Sequence, residues 1–227
     1  MATATDTATG ADEAAAAATG ADEAAAVAAA AAGNNPVILG SASFVAGAIP
    51  LALWLVGYKD FAVAGLLSNI ILVAGLGLFI AAIWAINLGA GAVATVFGLF
   101  SMFWLSFALL VLGTTHGWFV SSAVEPEAAA TAGAGGTIVY LITWTAAVVV
   151  LTLATLRLPL AFTALFALVA LALFLVLLFN LTSDTIWATI AGYVAFGAAA
   201  IGVYVFYDAM GQATGGKALS LGNPVLH

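Results

Sequence analysis

The stretch from Leu158 to Asn180 reads LPLAFTALFALVALALFLVLLFN, and only Arg157 just before it carries a charge. A helix needs about 20 consecutive apolar residues to cross the hydrocarbon core of a bilayer, and this stretch is long enough. Five other stretches share its character, and the six predicted spans cover residues 37–57, 62–86, 92–113, 137–156, 158–180 and 185–208. Because only helices and closed barrels satisfy their backbone groups within lipid, we predict an all-α integral membrane protein, a bundle of six transmembrane helices.

The composition of the whole chain excludes several classes of protein. Hydrophobic residues make up 65% of the sequence and charged residues 6%, whereas soluble proteins average about 45–50% apolar and 25% charged residues. The fixed cations, Lys59, Arg157 and Lys217, are too few to neutralise a run of phosphates, so we expect no nucleic-acid partner. Cysteine is absent and the two histidines, His116 and His227, lie far apart in sequence. We therefore expect no enzymatic activity, no catalytic residues, no metal site and no cofactor.

The first 33 residues differ from the rest of the chain in composition. They contain a repeated segment, at residues 9–14 and 19–24, together with polyalanine and five of the ten acidic residues. Alanine favours helix but buries too little area to pack firmly as a domain. We therefore predict an acidic, alanine-rich, low-complexity tail at 1–33, a six-span membrane domain at 34–210 and a short C-terminal tail at 211–227.

Few charges bear on the orientation of the spans. Cytoplasmic loops of membrane proteins carry an excess of Lys and Arg. An inside N-terminus places Arg157 and Lys217 in the cytoplasm and Lys59 outside, a majority of two to one. We predict a multi-pass protein of the cell membrane with both termini in the cytoplasm, and we interpret residues 114–136 as a mobile outer loop.

No charged residue lies in the middle of any predicted span, and the polar side chains there are uncharged. Ion pumps and most proton-coupled carriers keep an ionisable group there, so a strongly charge-coupled mechanism lacks its usual residues. The remaining hydroxyls and amides suit either a route for a small solute or hydrogen bonds between helices, which is the commoner role. They are Ser41, Ser43, Ser68, Asn69, Thr95, Ser101, Ser106, Thr143, Thr145 and Asn180.

Spans 3 and 6 each carry a periodic pattern. In span 3 aromatic residues recur at spacings of three and four from Phe97 to Phe107, which places several rings on one face of a helix. Such rings suit an apolar constriction or, more commonly, packing. In span 6 Ala191, Ala195 and Ala199 form a stripe of small residues that lets helices approach closely, either within one protomer or between protomers.

The order of these features resembles the acetate uptake transporter family, which includes bacterial succinate-acetate permeases. The resemblance runs from about Asn35 to Met210. It is carried by Asn35, Pro36, Leu39 and Gly40 in span 1, Phe97, Phe103 and Trp104 in span 3, Tyr140 and Trp144 in span 4, Asn180 in span 5, and Ala191, Gly192 and Tyr204 in span 6. The sequence departs from the family at Phe100, where relatives have a tyrosine, and at 85–86 and 89–92, where a polar cluster of the relatives is replaced by Ala-Ile and Gly-Ala-Gly-Ala.

The resemblance implies passage of acetate or a similar small monocarboxylate by a homo-oligomer, a hexamer in the family. Channel and proton symport both remain open. The resemblance places Phe44, Phe100 and Val169 on the walls of a narrow apolar gate. Val169 is located by counting along span 5 in register with the family. The substrate-pathway residues that it suggests are Asn35, Pro36, Gly40, Phe44, Phe97, Phe100, Phe103, Trp104, Val169 and Asn180.

The absence of a cation in the spans limits the mechanism. A carboxylic acid similar to Glu titrates near about 4.3, so acetate is almost wholly anionic at neutral pH. We expect the solute to cross the gate as the neutral acid or as a briefly desolvated anion, oriented by Asn35 and Asn180. Two other functions remain open: a channel for another small solute such as ammonia, an amide or water, and a structural or accessory membrane subunit without transport.

Overall fold

The computed structural model describes residues 19, 23, 33–58, 63–119 and 126–226 of the 227-residue chain. The predicted acidic tail lies outside the described residues apart from Thr19, Glu23 and Gly33, and so does Lys59. The chain divides into two compact units. One comprises Pro36–Tyr207 and Ser220–His227, which we call the membrane unit, and the other comprises Met1–Asn35 and Asp208–Leu219.

Within the described residues, six helices are long and apolar enough to cross a membrane. They are α1 (Val37–Leu55), α2 (Val63–Asn87), α3 (Gly91–Thr115), α4 (Pro126–Ala154), α5 (Leu160–Thr182) and α6 (Thr185–Ala213). Their order and positions agree with the six spans predicted from hydropathy. The predicted all-α, six-span membrane protein is confirmed.

α4 and α6 extend more than two residues beyond their predicted spans. The loop predicted at 114–136 is wrong from its middle onward, because α4 begins at Pro126. A proline suits the first turn of a helix, and the alanine-rich residues after it have high helix propensity despite their low hydropathy. α6 continues past 208 to Ala213 for a related reason, since a helix does not end where its apolar residues end.

α1 begins directly after a proline. Pro36 has helical dihedral angles, φ −62° and ψ −16°, and its carbonyl accepts the amide of Gly40 at 2.9 Å. The missing N–H of the proline would have been unpaired in this position in any case. The helix then continues through Pro50 to Leu55.

Small residues set the distance between neighbouring helices of the membrane unit. A Cβ added to Gly47 of α1 would lie 2.7 Å from the Cβ of Ala74 in α2, so the glycine permits this crossing. The alanine stripe of α6 is buried, with Ala191 fully buried and Ala199 3% exposed. The stripe therefore packs inside the protomer. Of the two arrangements that the sequence left open, the structure shows packing within one protomer.

A π-helical segment, Asn69–Gly75, interrupts α2. A π-helix widens the turn and disturbs the regular pairing of amides with carbonyls. Ser101 of α3, which is fully buried, donates its hydroxyl to the carbonyl of Gly75 at 2.8 Å. The hydrogen bond joins α3 to α2 at the end of the π segment.

The last residues of the membrane unit return to its helices. The carbonyl of Leu221 accepts the amide of Ala161 at 2.9 Å, which satisfies one of the amides at the start of α5. Tyr204 donates its hydroxyl to the carbonyl of Ser220 at 2.9 Å. The C-terminal tail predicted at 211–227 is thus bound to the helices through its final part.

In the other unit, one buried carboxylate binds two groups of the segment from Asp208 to Leu219. Asp208 is 5% exposed, and its two oxygens accept the amide of Leu219 at 2.7 Å and the side-chain amide of Gln212 at 2.9 Å. These bonds satisfy a buried acidic side chain close to the end of α6.

Candidate functional site

Three cavities of the membrane unit share walls and form a row. The largest, of about 680 Å³, is lined by Asn180, and we call it the Asn180 cavity. The central cavity has a volume of about 50 Å³. The third, of about 170 Å³, is lined by Gly40, and we call it the Gly40 cavity. The Asn180 and central cavities share the walls Leu51, Leu55, Phe103, Leu173 and Val176, and the central and Gly40 cavities share Phe44 and Phe100.

The Asn180 cavity is rich in polar side chains. It lies among the C-terminal ends of α1, α3 and α5, the N-terminal end of α6 and the middle of α4, and its polar lining residues are Thr114, Thr115, Thr137, Tyr140, Asn180, Thr185 and Thr189. Asn180 donates one N–H to the carbonyl of Val176 at 2.8 Å, which fixes its side chain against α5. Its amide retains a second N–H and an acceptor oxygen for a solute.

A hydrogen-bonded group lies where the Asn180 cavity shares the wall residue Phe103 with the central cavity. Tyr140 of α4 donates its hydroxyl to the carbonyl of Phe103 in α3 at 2.9 Å, and Ser106 contacts the same hydroxyl at 3.1 Å. Because the carbonyl of Phe103 also accepts the hydroxyl of Ser106 at 3.0 Å, the three groups form a closed set. The bonds join α4 to α3 beside the entrance to the central cavity.

Two phenylalanines separate the central cavity from the Gly40 cavity. The rings of Phe44 in α1 and Phe100 in α3 meet edge to face, with centroids 5.7 Å apart and planes at 89°. Phe100 also stacks on Phe166 of α5 at 5.5 Å. Phe44 is 7% exposed and Phe100 is 4% exposed, so the partition is closed in this structure.

The structure brings the three predicted gate residues together. Phe44, Phe100 and Val169 all line the central cavity, although they come from three helices. Sequence reasoning missed Phe166, which supports the ring of Phe100. The signal was present, because Phe162, Phe166 and Val169 recur at helical spacing and therefore share a face of α5.

The other predicted pathway residues divide among the cavities. Gly40 and Phe97 line the Gly40 cavity, and the ring of Phe97 occupies the place that a Cβ of Gly40 would take. Phe103 lines the Asn180 and central cavities, and Trp104 lines the central cavity.

The predicted pathway residues Asn35 and Pro36 immediately precede α1 in the sequence. Pro36 is buried at the start of α1 but is absent from the described walls of all three. Asn35 falls in the other compact unit. Its predicted role in orienting the solute stays a prediction.

Few of the polar side chains in the spans face the route. Of the ten that the sequence offered, Ser41 and Asn180 line the cavities described above. Ser41 donates its hydroxyl to the carbonyl of Val37 at 2.6 Å, and Thr143 and Thr95 likewise bind carbonyls four residues earlier in their own helices. Most of these hydroxyls therefore satisfy themselves within one helix, as serine and threonine commonly do in apolar surroundings.

Charge is missing from the walls of the row. Among the described lining residues of the three cavities there is no Lys, Arg, His, Asp or Glu. In the part of the chain that the structure describes, no group of three or more His, Asp and Glu side chains is placed to hold a metal ion. A solute that crosses the central cavity meets aromatic and aliphatic surface.

This architecture is similar to that of known proteins. The fold is similar to a solved structure described as that of the bacterial acetate channel SatP, with a TM-score of 0.69 and 22% sequence identity over 82% of this chain and 97% of the other. No curated protein matches the sequence. The model of the GPR1/FUN34/yaaH family matches residues 19–216, nearly the whole chain. The family resemblance predicted from the sequence is confirmed, and the protein belongs to the GPR1/FUN34/yaaH family.

Proposed function

We propose that this protein passes acetate or a similar small monocarboxylate across a membrane. The observation that carries the proposal is the row of three cavities through a six-span bundle, closed at one point by Phe44 and Phe100. Family membership and the likeness of fold to an acetate channel support it. The protein acts as a channel or transporter and not as an enzyme.

The neutral acid is the species that crosses the central cavity. An unpaired carboxylate is costly to bury in apolar surroundings, and the described walls supply no cation to offset that cost. A protonated acid carries its own proton and leaves only a hydroxyl and a carbonyl to be satisfied. Passage of the acid is then equivalent to the movement of acetate with a proton, without an ionisable group in the spans.

Asn180 receives the solute before it reaches the gate. Its amide offers both a donor and an acceptor, which matches the carbonyl and the hydroxyl of a carboxylic acid. The surrounding threonine hydroxyls replace part of the solute's water in the Asn180 cavity. The solute then loses the rest of its water on entering the central cavity.

The protein lies in the cell membrane with both termini in the cytoplasm, which Arg157 and Lys217 support. We further propose a homohexamer, as the family resemblance implies. Only 11% of the apolar window of α4 is buried within the protomer, against 44% for α5, which leaves α4 free to contact lipid or a second copy.

Another small neutral solute is the second candidate. The central cavity is apolar, and it selects by size and polarity as much as by the carboxyl group. Ammonia, small amides and water belong in the same assay. If none of these solutes crosses liposomes that contain the protein, the result would favour an accessory membrane subunit.

Uptake of labelled acetate into liposomes tests the proposal. Neutral acid is about one molecule in 500 at pH 7 and about one in 17 at pH 5.5 for a group of pKa about 4.3. At constant total acetate, protein-dependent uptake should rise about 30-fold between these pH values if the acid is the transported species. Empty liposomes measure the flux through lipid, which is subtracted.

The outcomes separate the alternatives. Protein-dependent uptake that is independent of pH would identify the anion as the transported species. Uptake equal to that of empty liposomes at both pH values would contradict acetate transport altogether.

A further inference from the structure

Phe166 of α5 lies against the gate but outside its narrowest part. Its ring stacks on the ring of Phe100, with centroids 5.5 Å apart and planes at 25°. It lines the Gly40 cavity and is absent from the described walls of the central cavity. Because Phe166 is 4% exposed, nearly all of its surface contacts other protein groups. Phe166 therefore supports Phe100 from the Gly40 side without itself lining the central cavity.

Packing alone holds the ring of Phe100. A phenylalanine side chain has no polar atom, so no hydrogen bond can fix its rotamer. Among the described residues, its ring contacts are with Phe44 at 5.7 Å, Phe103 at 6.3 Å and Phe166 at 5.5 Å. The first two pairs meet edge to face, whereas Phe166 lies nearly parallel and is the closest. Loss of the stacked ring would remove the closest of these contacts.

The space next to Phe100 is unevenly distributed. Phe100 borders the Gly40 cavity of about 170 Å³, the central cavity of about 50 Å³ and a further cavity of about 10 Å³. The ring of Phe166 lies on the wall of the largest of these spaces, so a shorter side chain there would enlarge it. A ring beside unfilled volume loses packing contacts and changes rotamer more readily than a ring in a filled core.

Phe166 reaches the gate through one contact. In the part of the chain that the structure describes, its ring packs on Phe100 and on no other aromatic ring. Phe103, by contrast, also contacts Tyr140 and Trp144 of α4, so a change at Phe103 would disturb a larger aromatic cluster. A change at Phe166 therefore acts on the partition mainly through Phe100.

We infer that Phe166 is a positioning residue for the gate. Its ring holds the ring of Phe100 across the route, and it thereby sets how readily the gate opens and how large a solute passes. The inference rests on the proposed function and adds a residue to the three that were expected at the gate. Phe166 acts on the solute only through Phe100, because it does not line the central cavity.

The test compares Phe166→Leu with Phe162→Leu in the full-length protein. Both residues lie on α5 and line the Gly40 cavity, but among the described ring contacts Phe162 has none with Phe100. Phe166→Leu should raise acetate uptake into liposomes about threefold and raise butyrate uptake relative to acetate, because the lost stacking of two rings is worth a factor of this order. Phe162→Leu should change neither quantity.

A double variant shows whether Phe166 acts through Phe100. If it does, Phe100→Ala combined with Phe166→Leu should transport acetate at the rate of Phe100→Ala alone, about tenfold above the unaltered protein. Independent effects would instead multiply to about thirtyfold, and that result would overturn the inference.

A measurement that needs no transport follows the Phe100 ring directly. Aromatic carbon-13 NMR of the protein in lipid nanodiscs reports how fast the ring turns, and Phe100→Leu assigns its resonance by removing it. The Phe100 ring should turn about threefold faster in Phe166→Leu and at the unaltered rate in Phe162→Leu. Thermal unfolding shows that each variant is folded. If Phe166→Leu is not, Phe166→Met takes its place, because methionine fills irregular gaps in a core.

The results distinguish this inference from the proposed function. If the protein transports acetate, the inference requires both the faster ring and the raised uptake in Phe166→Leu, and the lack of either would overturn it and leave acetate transport standing. A faster ring in a protein without uptake would support positioning of Phe100 by Phe166 and contradict transport. Neither uptake nor a faster ring would contradict both.

Discussion

The Asn180 cavity and the Gly40 cavity lie on either side of the same aromatic partition and differ in volume and chemistry. The Asn180 cavity has about 680 Å³ and seven polar lining residues, whereas the Gly40 cavity has about 170 Å³ and only Ser41, whose hydroxyl already binds its own helix. A solute can exchange its water for protein hydrogen bonds on the first side but not on the second. Dehydration is thus gradual on the Asn180 side and abrupt on the Gly40 side.

The largest change in this comparison should come from removing the partition. Phe100→Ala would open the central cavity into the Gly40 cavity, because the ring of Phe100 is a wall of both. We expect acetate uptake to rise about tenfold, equivalent to a barrier lower by about 1.4 kcal/mol, and longer acids such as butyrate to pass. Liposome uptake of acetate and butyrate measures both effects.

Phe79→Ala is the matched control for this substitution. Phe79 is 43% exposed on α2 and does not line the described cavities, so its loss should not change uptake. Truncating a buried phenylalanine costs about 3–5 kcal/mol of stability, so Phe100→Leu serves as a milder variant. Unchanged uptake and selectivity in a folded Phe100 variant would show that this ring only packs the core.

A smaller effect should come from filling the Gly40 side. In Gly40→Ala the new Cβ would overlap the ring of Phe97, which must then shift within the Gly40 cavity. We expect a loss of about 1–3 kcal/mol in stability from overpacking, with uptake lowered on the order of fivefold. Thermal unfolding and liposome uptake report the two effects.

Gly98→Ala provides the control, because its Cβ would meet only Ala82 at 3.9 Å, an ordinary contact. The control should retain both stability and uptake. If Gly40→Ala transports acetate as well as Gly98→Ala does, the Gly40 cavity is not part of the route.

The smallest effect should come from the hydrogen-bonded group beside the Asn180 cavity. Tyr140→Phe removes the hydroxyl that donates to the carbonyl of Phe103 but leaves the ring in place. We expect stability to fall by about 0.5–1.5 kcal/mol and uptake to change by no more than about twofold, with size selectivity unaltered. Thermal unfolding and the acetate and butyrate assay measure these quantities.

Tyr193→Phe is the matched control, since Tyr193 is 67% exposed on α6 and should contribute nothing to either quantity. Altered size selectivity in Tyr140→Phe would indicate that the gate lies nearer the Asn180 cavity. It would contradict a gate formed by Phe44 and Phe100.

The spans were the most predictable part of this protein. Hydropathy placed all six, because insertion depends on the summed transfer energy of about 20 consecutive residues. It placed the start of α4 wrongly, because the residues after Pro126 are helical through propensity and not through hydrophobicity. The family resemblance brought Phe44, Phe100 and Val169 to one gate, and all three line the central cavity.

Polar side chains in the spans were the least predictable part. The sequence shows which polar residues are present but not the direction in which each side chain points. Ser101 and Asn180 are both uncharged polar residues within predicted spans, and the sequence does not distinguish their roles. In the structure Ser101 is buried against the π segment of α2, whereas Asn180 lines a cavity. No residue pattern predicted the π segment either.

The sequence by itself determined the number and order of the spans, the lack of charge at their centres and the family. These properties depend on residue type summed along the chain. Only the tertiary structure decided which rings close the route and that Phe166 stacks on Phe100. A cavity is the space that side chains of several helices leave unfilled, and its shape depends on how closely glycines such as Gly47 let those helices approach.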